Sequence, residues 1–140
     1  EFDFVICDSP AGVGEGFCVA SSGAELGIIV CTADSCSVRD AEKTAFCLEK
    51  TGIDKMRLVV NRVRPELIEK GICMNIDDII DSVKVQLLGL IPYEPAMEGV
   101  CGLFPANKGQ AGLAFSNIAR RLMSEEVPLI RIKRKGFFGG

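Results

Sequence analysis

Four short runs of apolar residues alternate with longer stretches of mixed polarity along the chain. The runs are Phe4–Cys7, Gly27–Cys31, Leu58–Val60 and Leu87–Ile91. Each run is almost continuously apolar rather than alternating, a pattern typical of central strands that are covered on both faces. Strands separated by helical patterns predict right-handed β-α-β crossovers, and therefore a parallel sheet.

Three further stretches carry apolar residues at helical spacing. The first contains Val38, Ala41, Ala45 and Leu48. The second contains Ile76, Ile79, Ile80 and Val83. The third contains Ala111, Ala114, Phe115, Ile118, Ala119 and Leu122. We predict Ser37 as the N-cap and Gly52 as the stop of the first helix, and a start after Asn75 for the second. The predicted fold class is α/β, a three-layer parallel sheet flanked by helices.

The composition indicates one folded domain without a general attraction for nucleic acid. Hydrophobic residues make up 48% of the 140 residues and charged residues 25%, with a net charge of −3. That balance suits a globular chain and provides no basic field for nucleic acid. No run approaches the ~20 apolar residues that a membrane span needs. The chain lacks an initiator Met and opens on a strand pattern, so we expect an excised or truncated piece.

The seven cysteines do not indicate a zinc site or a disulfide framework. None belongs to a Cys-x-x-Cys pair, and the chain contains no histidine. Cys7 and Cys31 close apolar runs, where a free thiol behaves as a small hydrophobic group. We therefore expect structural thiols in a reducing cytosol.

Polar residues follow the predicted strands at the edge where parallel α/β sheets bind ligands. They are Asp8–Gly12, Thr32–Asp34, Asn61–Arg62 and Pro92–Tyr93. A carboxylate at position 8 suits a Mg²⁺ ion held through water, because Mg²⁺ dehydrates reluctantly. An Asp before Ser9 and Pro10 is equally typical of the first position of a turn, with no role in metal binding. These residues alone leave both interpretations open.

The ordered motifs resemble the deviant Walker family of P-loop ATPases, in particular its members that act in bacterial cell division. The motifs are residues 1–12 ending in Asp8-Ser9-Pro10-Ala11-Gly12, then Ser37-Val38-Arg39-Asp40, Asn61-Arg62 with Arg64-Pro65, Lys70-Gly71 before Ile76-Asp77-Asp78, Gly112–Arg121 and Glu125-Glu126-Val127-Pro128. The resemblance implies a P-loop NTPase-type fold over residues 1–127. It would be the C-terminal portion, without the Walker A strand-loop-helix, since no Gly-x-x-x-x-Gly-Lys followed by Ser or Thr occurs.

The resemblance also implies ATP and Mg²⁺ as ligands and assigns roles by position. Asp8 would be the catalytic residue and would hold Mg²⁺ through water. The residues implied to bind the nucleotide are Ser9, Pro10 and Gly12 at the γ-phosphate, Asp34 near the ribose, and Asn61, Arg62 and Pro92 around the adenine. Regulatory proteins would dock on Arg39, Asp40 and Glu42. The residues alone also suit a strand-end cap at position 61 and a solvated helix face at positions 39–42. Between Pro92 and Ala111 the connection is shorter than the family's and lacks its Gly-Glu-Pro turn.

Residues 128–140 are predicted to form a short basic and hydrophobic membrane-targeting tail. The residues implied to contact the membrane are Arg131, Lys133, Arg134, Lys135, Phe137 and Phe138. Cations attract anionic lipid, at ~1 kcal/mol each, and aromatic rings can enter the interface. At about 100° per residue, however, Lys133 falls within the apolar arc of the segment. A disordered basic tail is the alternative.

By resemblance, the parent protein would be an ATP hydrolase that forms a homodimer on binding ATP. It would act from the cytoplasm on the inner face of the cell membrane and help to place the division septum. The 140 residues alone are expected to be inactive, because the phosphate loop is absent. The runner-up is a ParA-like or flagellar-number positioning ATPase. A third hypothesis is a non-enzymatic regulator-docking module.

Overall fold

The computed structural model describes residues 2–97 and 109–132, which form an α/β fold on a parallel sheet. The strands are β1 (Gly27–Thr32), β2 (Met56–Val63) and β3 (Leu87–Pro92), arranged in the order β1-β2-β3. Both pairings are parallel. The predicted fold class is confirmed.

Five helices and one short 3₁₀ turn connect and cover these strands in the described part of the chain. They are α1 (Glu15–Ser21), α2 (Ser35–Lys50), α3 (Pro65–Glu69), α4 (Ile76–Val83), the 3₁₀ turn Pro95–Met97 and α5 (Gly109–Leu122). None of the helices within residues 2–97 and 109–132 has the length and apolarity needed to cross a bilayer.

Two apolar clusters lie on opposite faces of the sheet and define three layers. In β2, Leu58 and Val60 belong to the cluster that contains α2 and α4, whereas Val59 belongs to the cluster under α5. Successive residues of a strand point to opposite faces, so this alternation separates the two helical layers. Leu58 and Ile79 are fully buried and mark the centre of the larger cluster.

The helical pattern of α2 is confirmed, but its predicted N-cap is wrong. Its buried residues are Val38, Ala41, Ala45 and Leu48, the four that the pattern predicts. The N-cap is Asp34, whose carboxylate accepts a hydrogen bond from the Ser37 backbone N–H at 3.0 Å. Ser37 is therefore a residue of the first turn. Gly52, with φ of +88°, follows the helix as predicted, in a conformation that favours glycine.

The start of α4 is confirmed, whereas the stripe of α5 is only partly correct. Asn75 caps α4 by accepting the Asp78 N–H at 2.8 Å. In α5, Ala111 and Ala114 are buried and Ile118 packs against them, but Phe115 is 42% exposed. Because α5 faces the sheet through the first three, the residue after Ala114 is rotated away by about 100°.

The predicted first strand, Phe4–Cys7, is wrong. The segment is not part of the sheet, and its Phe4, Val5 and Ile6 side chains are 63%, 80% and 92% exposed. A strand needs a neighbour for its backbone hydrogen bonds, and within the described residues β1 and β3 pair only with β2. Cys7 is exposed for the same reason, whereas Cys31 is a buried thiol as expected.

Candidate functional site

The carboxyl ends of the three strands bring four of the predicted ligand residues to one edge of the sheet. In the parallel register, Thr32 lies beside Asn61, and Val63 lies beside Pro92. Asp34 follows β1, Asn61 and Arg62 lie near the end of β2, and Pro92 closes β3. This edge is the usual ligand-binding edge of an open parallel sheet.

Asp34 is held in the turn between β1 and α2. Its carboxylate accepts hydrogen bonds from the Thr32 hydroxyl at 2.5 Å and from the Ser37 N–H at 3.0 Å. The Thr32 N–H in turn donates to Ser37 Oγ at 2.9 Å. The Thr32 hydrogen bond, followed by that from Ser37, lowers the pKa of Asp34 below its ordinary value. The carboxylate therefore stabilises this turn, and its ribose contact stays a prediction.

A bulge near the end of β2 shapes the backbone at Asn61 and Arg62. Arg62 has φ of +55°, in the left-handed backbone region that residues other than glycine rarely adopt. Its N–H donates to Asn61 Oδ1 at 2.8 Å. The pairing with β3 is irregular between Val60 and Val63. Such backbone strain concentrates at functional sites. The bulge supports a site at this edge, and sequence periodicity gives no sign of it.

Two contacts at the same edge were not predicted. The Arg64 guanidinium lies 3.5 Å from the centroid of the Tyr93 ring, and the Tyr93 N–H donates to the Val63 carbonyl at 2.9 Å. Together they tie the ends of β2 and β3. The only available sequence signal is that Tyr93, the one tyrosine of the chain, directly follows a strand.

Glu94 caps α5 from a distant position in the sequence. Its Oε1 accepts the Gln110 N–H at 2.8 Å, sixteen positions further along the chain. Gly109 has φ of +68°, and a Cβ atom there would collide with the Glu94 carboxylate. The start of α5 is thus fixed beside the end of β3.

The predicted phosphate-facing loop borders a groove beside β1. Residues 8–12 are all exposed. The groove has a volume of about 490 Å³ and is lined by Ser9–Gly12, by residues 28–30 of β1, and by Ser37, Asp40, Ala41 and Thr44 of α2. Asn61, Arg62, Pro92 and Asp8 do not line it. The structure therefore places Ser9, Pro10 and Gly12 beside residues 37–44 of α2, in a groove that the other predicted ligand residues do not line.

The donor set at Asp8 fits a water-bound Mg²⁺ rather than a protein-enclosed one. Within the described ranges, no group of three His, Cys, Asp or Glu side chains could hold a metal ion. The Asp8 carboxylate is exposed. Mg²⁺ commonly keeps several waters and takes one or two carboxylates together with phosphate oxygens. One exposed carboxylate is compatible with that arrangement.

The predicted docking residues lie on the exposed side of α2. Arg39, Asp40 and Glu42 are exposed, and the Asp40 carboxylate lies 3.5 Å from Lys43 Nζ. Of the predicted membrane residues, Arg131 is exposed. The other five, Lys133, Arg134, Lys135, Phe137 and Phe138, lie outside the described residues.

Solved structures with the same fold define the class of the protein. MinD cell division protein from Aquifex aeolicus superposes with a TM-score of 0.83 at 35% identity, covering 88% of this chain and 54% of that one. The MinC:MinD cell division protein complex from the same organism gives 0.75 at 33% identity, covering 90% and 54%. The fold is therefore of the P-loop NTPase type.

Sequence comparison then identifies the relatives. Septum site-determining protein MinD of Synechocystis is 36% identical, with 93% of this chain and 51% of that protein aligned. MinD of Bacillus subtilis is 37% identical, with 99% and 57% aligned. No family model matches the chain. The chain is a homologue of the MinD septum site-determining proteins and spans about half the length of the curated relatives it matches. The recognition from sequence motifs is confirmed.

Proposed function

We propose that this chain forms the C-terminal half of a MinD-type ATPase that helps to place the division septum. The observation that carries the proposal is the similarity to MinD over nearly the whole chain, in sequence and in fold. The parent protein would dimerise on binding ATP and associate with the inner face of the cell membrane from the cytoplasm.

The proposed phosphate end of the site is the Asp8–Gly12 loop. Asp8 would hold a Mg²⁺ ion there through water, and the ion would supply positive charge to the phosphates. Asp8 would orient the waters around the ion, and the exposed backbone from Ser9 to Gly12 would face the γ-phosphate. A phosphate loop must come from polypeptide outside the 140 residues. The groove beside β1 supports a phosphate loop at this position, because it leaves room next to Ser9–Gly12. Within the described residues, the side of β1 that faces away from β2 has no paired strand.

The proposed base end lies at the carboxyl edge of β2 and β3. Asn61 and Arg62 would border the adenine, Pro92 would close the pocket, and Asp34 would lie near the ribose. The support is their common position at the carboxyl edge, together with the left-handed backbone at Arg62.

The nucleotide proposal can be tested with a chimera in which residues 1–140 replace the matching portion of Bacillus subtilis MinD. The chain alone should bind Mg-ATP weakly by calorimetry and hydrolyse none measurably. The chimera should hydrolyse ATP. Asp8→Ala should lower its kcat on the order of 100-fold, because the variant lacks the carboxylate proposed to hold the ion that stabilises the charge developing on the phosphates.

The matched control is Asp54→Ala, which removes another exposed loop carboxylate and should leave kcat unchanged. Both variants should retain the wild-type Tm, since neither side chain is buried. Micromolar Mg-ATP affinity of the chain alone, or equal kcat for the two variants, would contradict the proposed roles.

The exposed face of α2 is the proposed docking surface for MinC-like and MinE-like regulators. The support is that a structural neighbour was solved as a MinC:MinD complex and that Arg39, Asp40 and Glu42 are exposed. Reversing two charges, Arg39→Glu with Glu42→Lys, should abolish capture of the chimera by immobilised MinC. Unchanged capture would exclude this surface. No specific observation favours the two alternatives, a ParA-like or flagellar-number positioning ATPase and a non-enzymatic regulator-docking module.

A further inference from the structure

The bulge in β2 ends at a backbone hydrogen bond from the residue that follows β3. The pairing of β2 with β3 is irregular between Val60 and Val63, and the register returns where Val63 lies beside Pro92. The Tyr93 N–H donates to the Val63 carbonyl at 2.9 Å. Arg62, whose φ of +55° is the strained part of the bulge, directly precedes Val63. The chain leaving β3 therefore holds the immediate neighbour of the strained residue.

Two side chains make a second contact at this point. The Arg64 guanidinium lies 3.5 Å from the centroid of the Tyr93 ring, and both residues are partly buried. A cation over the face of an aromatic ring is attracted by the ring quadrupole, and the attraction grows as water is removed from the contact. The Arg64–Tyr93 pair therefore joins the segment that leaves β2 to the segment that leaves β3.

The next residue ties the same segment to α5. Glu94 Oε1 accepts the Gln110 N–H at 2.8 Å, and the Gly109 backbone lies directly against this carboxylate. Consecutive residues after β3 thus contact two different elements, the end of β2 through Tyr93 and the start of α5 through Glu94. Pro92, which is proposed to close the base pocket, immediately precedes both attachments. The position of the proposed base pocket is therefore coupled to these contacts.

We propose that the Arg64–Tyr93 pair positions Asn61 and Arg62 for the nucleotide base, a role that rests on the nucleotide site proposed above. A left-handed conformation such as that of Arg62 persists only where surrounding contacts over-determine it. The contacts of Tyr93 with Val63 and Arg64 follow directly after this residue and hold it without nucleotide. A backbone that is already ordered does not have to be ordered at the expense of binding energy. Loss of the pair should therefore weaken nucleotide binding and leave turnover, which depends on the phosphate end, unchanged.

Kinetics of the chimera that tests the nucleotide site can separate these two effects. Arg64→Leu and Tyr93→Leu should each raise the KM for ATP roughly 3- to 10-fold, the effect of losing one partly desolvated contact of this kind, with kcat unchanged. The double variant should be no worse than either single variant, because both remove the same contact. Tyr93→Phe keeps the ring and should retain the wild-type KM. The matched control is Arg57→Leu, which removes a partly buried arginine from the other end of β2 and should leave KM unchanged.

Hydrogen exchange of the 140-residue chain without nucleotide tests the pair independently of ATP. Local opening breaks single hydrogen bonds while the rest of the fold persists. The Tyr93 amide should therefore exchange faster in Arg64→Leu than in the wild type, Tyr93→Phe or Arg57→Leu, and the amides of β1 should keep their protection. Unchanged exchange at Tyr93, an equal loss of protection throughout the sheet, or a fall in kcat at constant KM would overturn the proposal.

Failure of the nucleotide site itself gives a different result. A wild-type chimera without measurable affinity for ATP would refute the function proposed above and, with it, the role of the pair in binding the base. Faster exchange at Tyr93 in Arg64→Leu would still support the pair as the contact that holds the end of the bulge.

Discussion

At the scale of single residues, side chains at the carboxyl edge of the sheet serve the fold as well as the proposed site. Asp34 caps α2 with the same carboxylate that the resemblance implies near a ribose. Arg62 adopts a left-handed conformation that costs about 1–2 kcal/mol for a residue with a side chain. These positions therefore combine local stability with local strain, which is typical of binding edges.

Replacing Asp34 should test the cap directly. Asp34→Ala should lower the free energy of unfolding by ~1 kcal/mol, because the Ser37 N–H loses its acceptor. Asp34→Ser, which keeps an acceptor, should retain most of the stability. Urea denaturation at pH 7 measures both, and equal stability of Asp34→Ala and the wild type would contradict this role.

The cap should also depend on pH. The pKa of Asp34 is lowered in the folded state by its hydrogen bonds from Thr32 and Ser37. The ionised carboxylate therefore stabilises the fold above its unfolded pKa of about 3.9, and this contribution is lost as the pH falls through the folded pKa. The advantage of the wild type over Asp34→Asn at pH 7 should shrink at pH 3. A constant difference in urea denaturation would exclude the ionised cap.

Several of these residue-level features could not be predicted from the sequence. Ser37 and Asp34 are both good N-cap types, and only the observed start at Ser35 decides between them. The bulge at Arg62 has no compositional sign, because arginine does not favour the left-handed region. The Glu94 cap joins residues sixteen positions apart, far beyond the three-residue spacing of a local capping motif.

At the scale of elements, the packing of α5 on β3 depends on one glycine. A Cβ atom on Gly89 would lie 2.8 Å from Ile118 Cδ1 and closer still to Ile118 Cγ1. Strand and helix can approach so closely only because position 89 carries no side chain. The helix would have to shift, or Ile118 would have to leave its rotamer, to admit any larger residue.

Gly89→Ala should lower the free energy of unfolding by ~1–3 kcal/mol through overpacking. In the double variant with Ile118→Ala, the colliding atoms are absent, so the combined loss should be smaller than the sum of the two single losses. Urea denaturation of the four proteins gives the coupling energy. Strict additivity would show that the two residues do not collide.

Strands β2 and β3 and helix α2 were predicted correctly, and the exposed apolar runs show the limit of the pattern. The continuous apolar runs of β2 and β3 and the stripe of α2 report burial that the chain itself provides, whereas β1, expected to be covered on both faces, is buried on one face only. The Phe4–Cys7 run has the same composition but is exposed. An apolar pattern shows that a segment suits burial, and does not show which neighbour buries it.

At the scale of the whole molecule, an apolar surface remains uncovered on the outer side of β1. Ile28 and Val30 are 46% and 60% exposed, whereas the intervening Ile29 is 3% exposed. Among the described residues α5 packs mainly on β3, and Ile28 and Val30 of β1 stay largely exposed. Exposed apolar surface at a strand edge favours aggregation.

Val30→Glu should therefore slow aggregation of the chain, measured by light scattering at fixed concentration. It should not lower Tm by more than about 2 °C, the shift typical of a surface substitution. Ser22→Glu adds the same charge at an exposed polar position and should have a smaller effect. Ile29→Glu, which points into the core, should unfold the protein. Equal scattering for Val30→Glu and Ser22→Glu would mean that charge, and not the apolar face, controls association.

The Glu94 cap has an evolutionary consequence. The Gln110 N–H is anchored directly by the Glu94 carboxylate just after β3, and α5 packs on the sheet through Ala111 and Ala114, so contacts outside the polypeptide between Met97 and Gly109 orient α5. Insertions and deletions there would be tolerated while the residues at its two ends are retained. Homologues should diverge freely in this interval and still keep the helix in register with the strand beneath it.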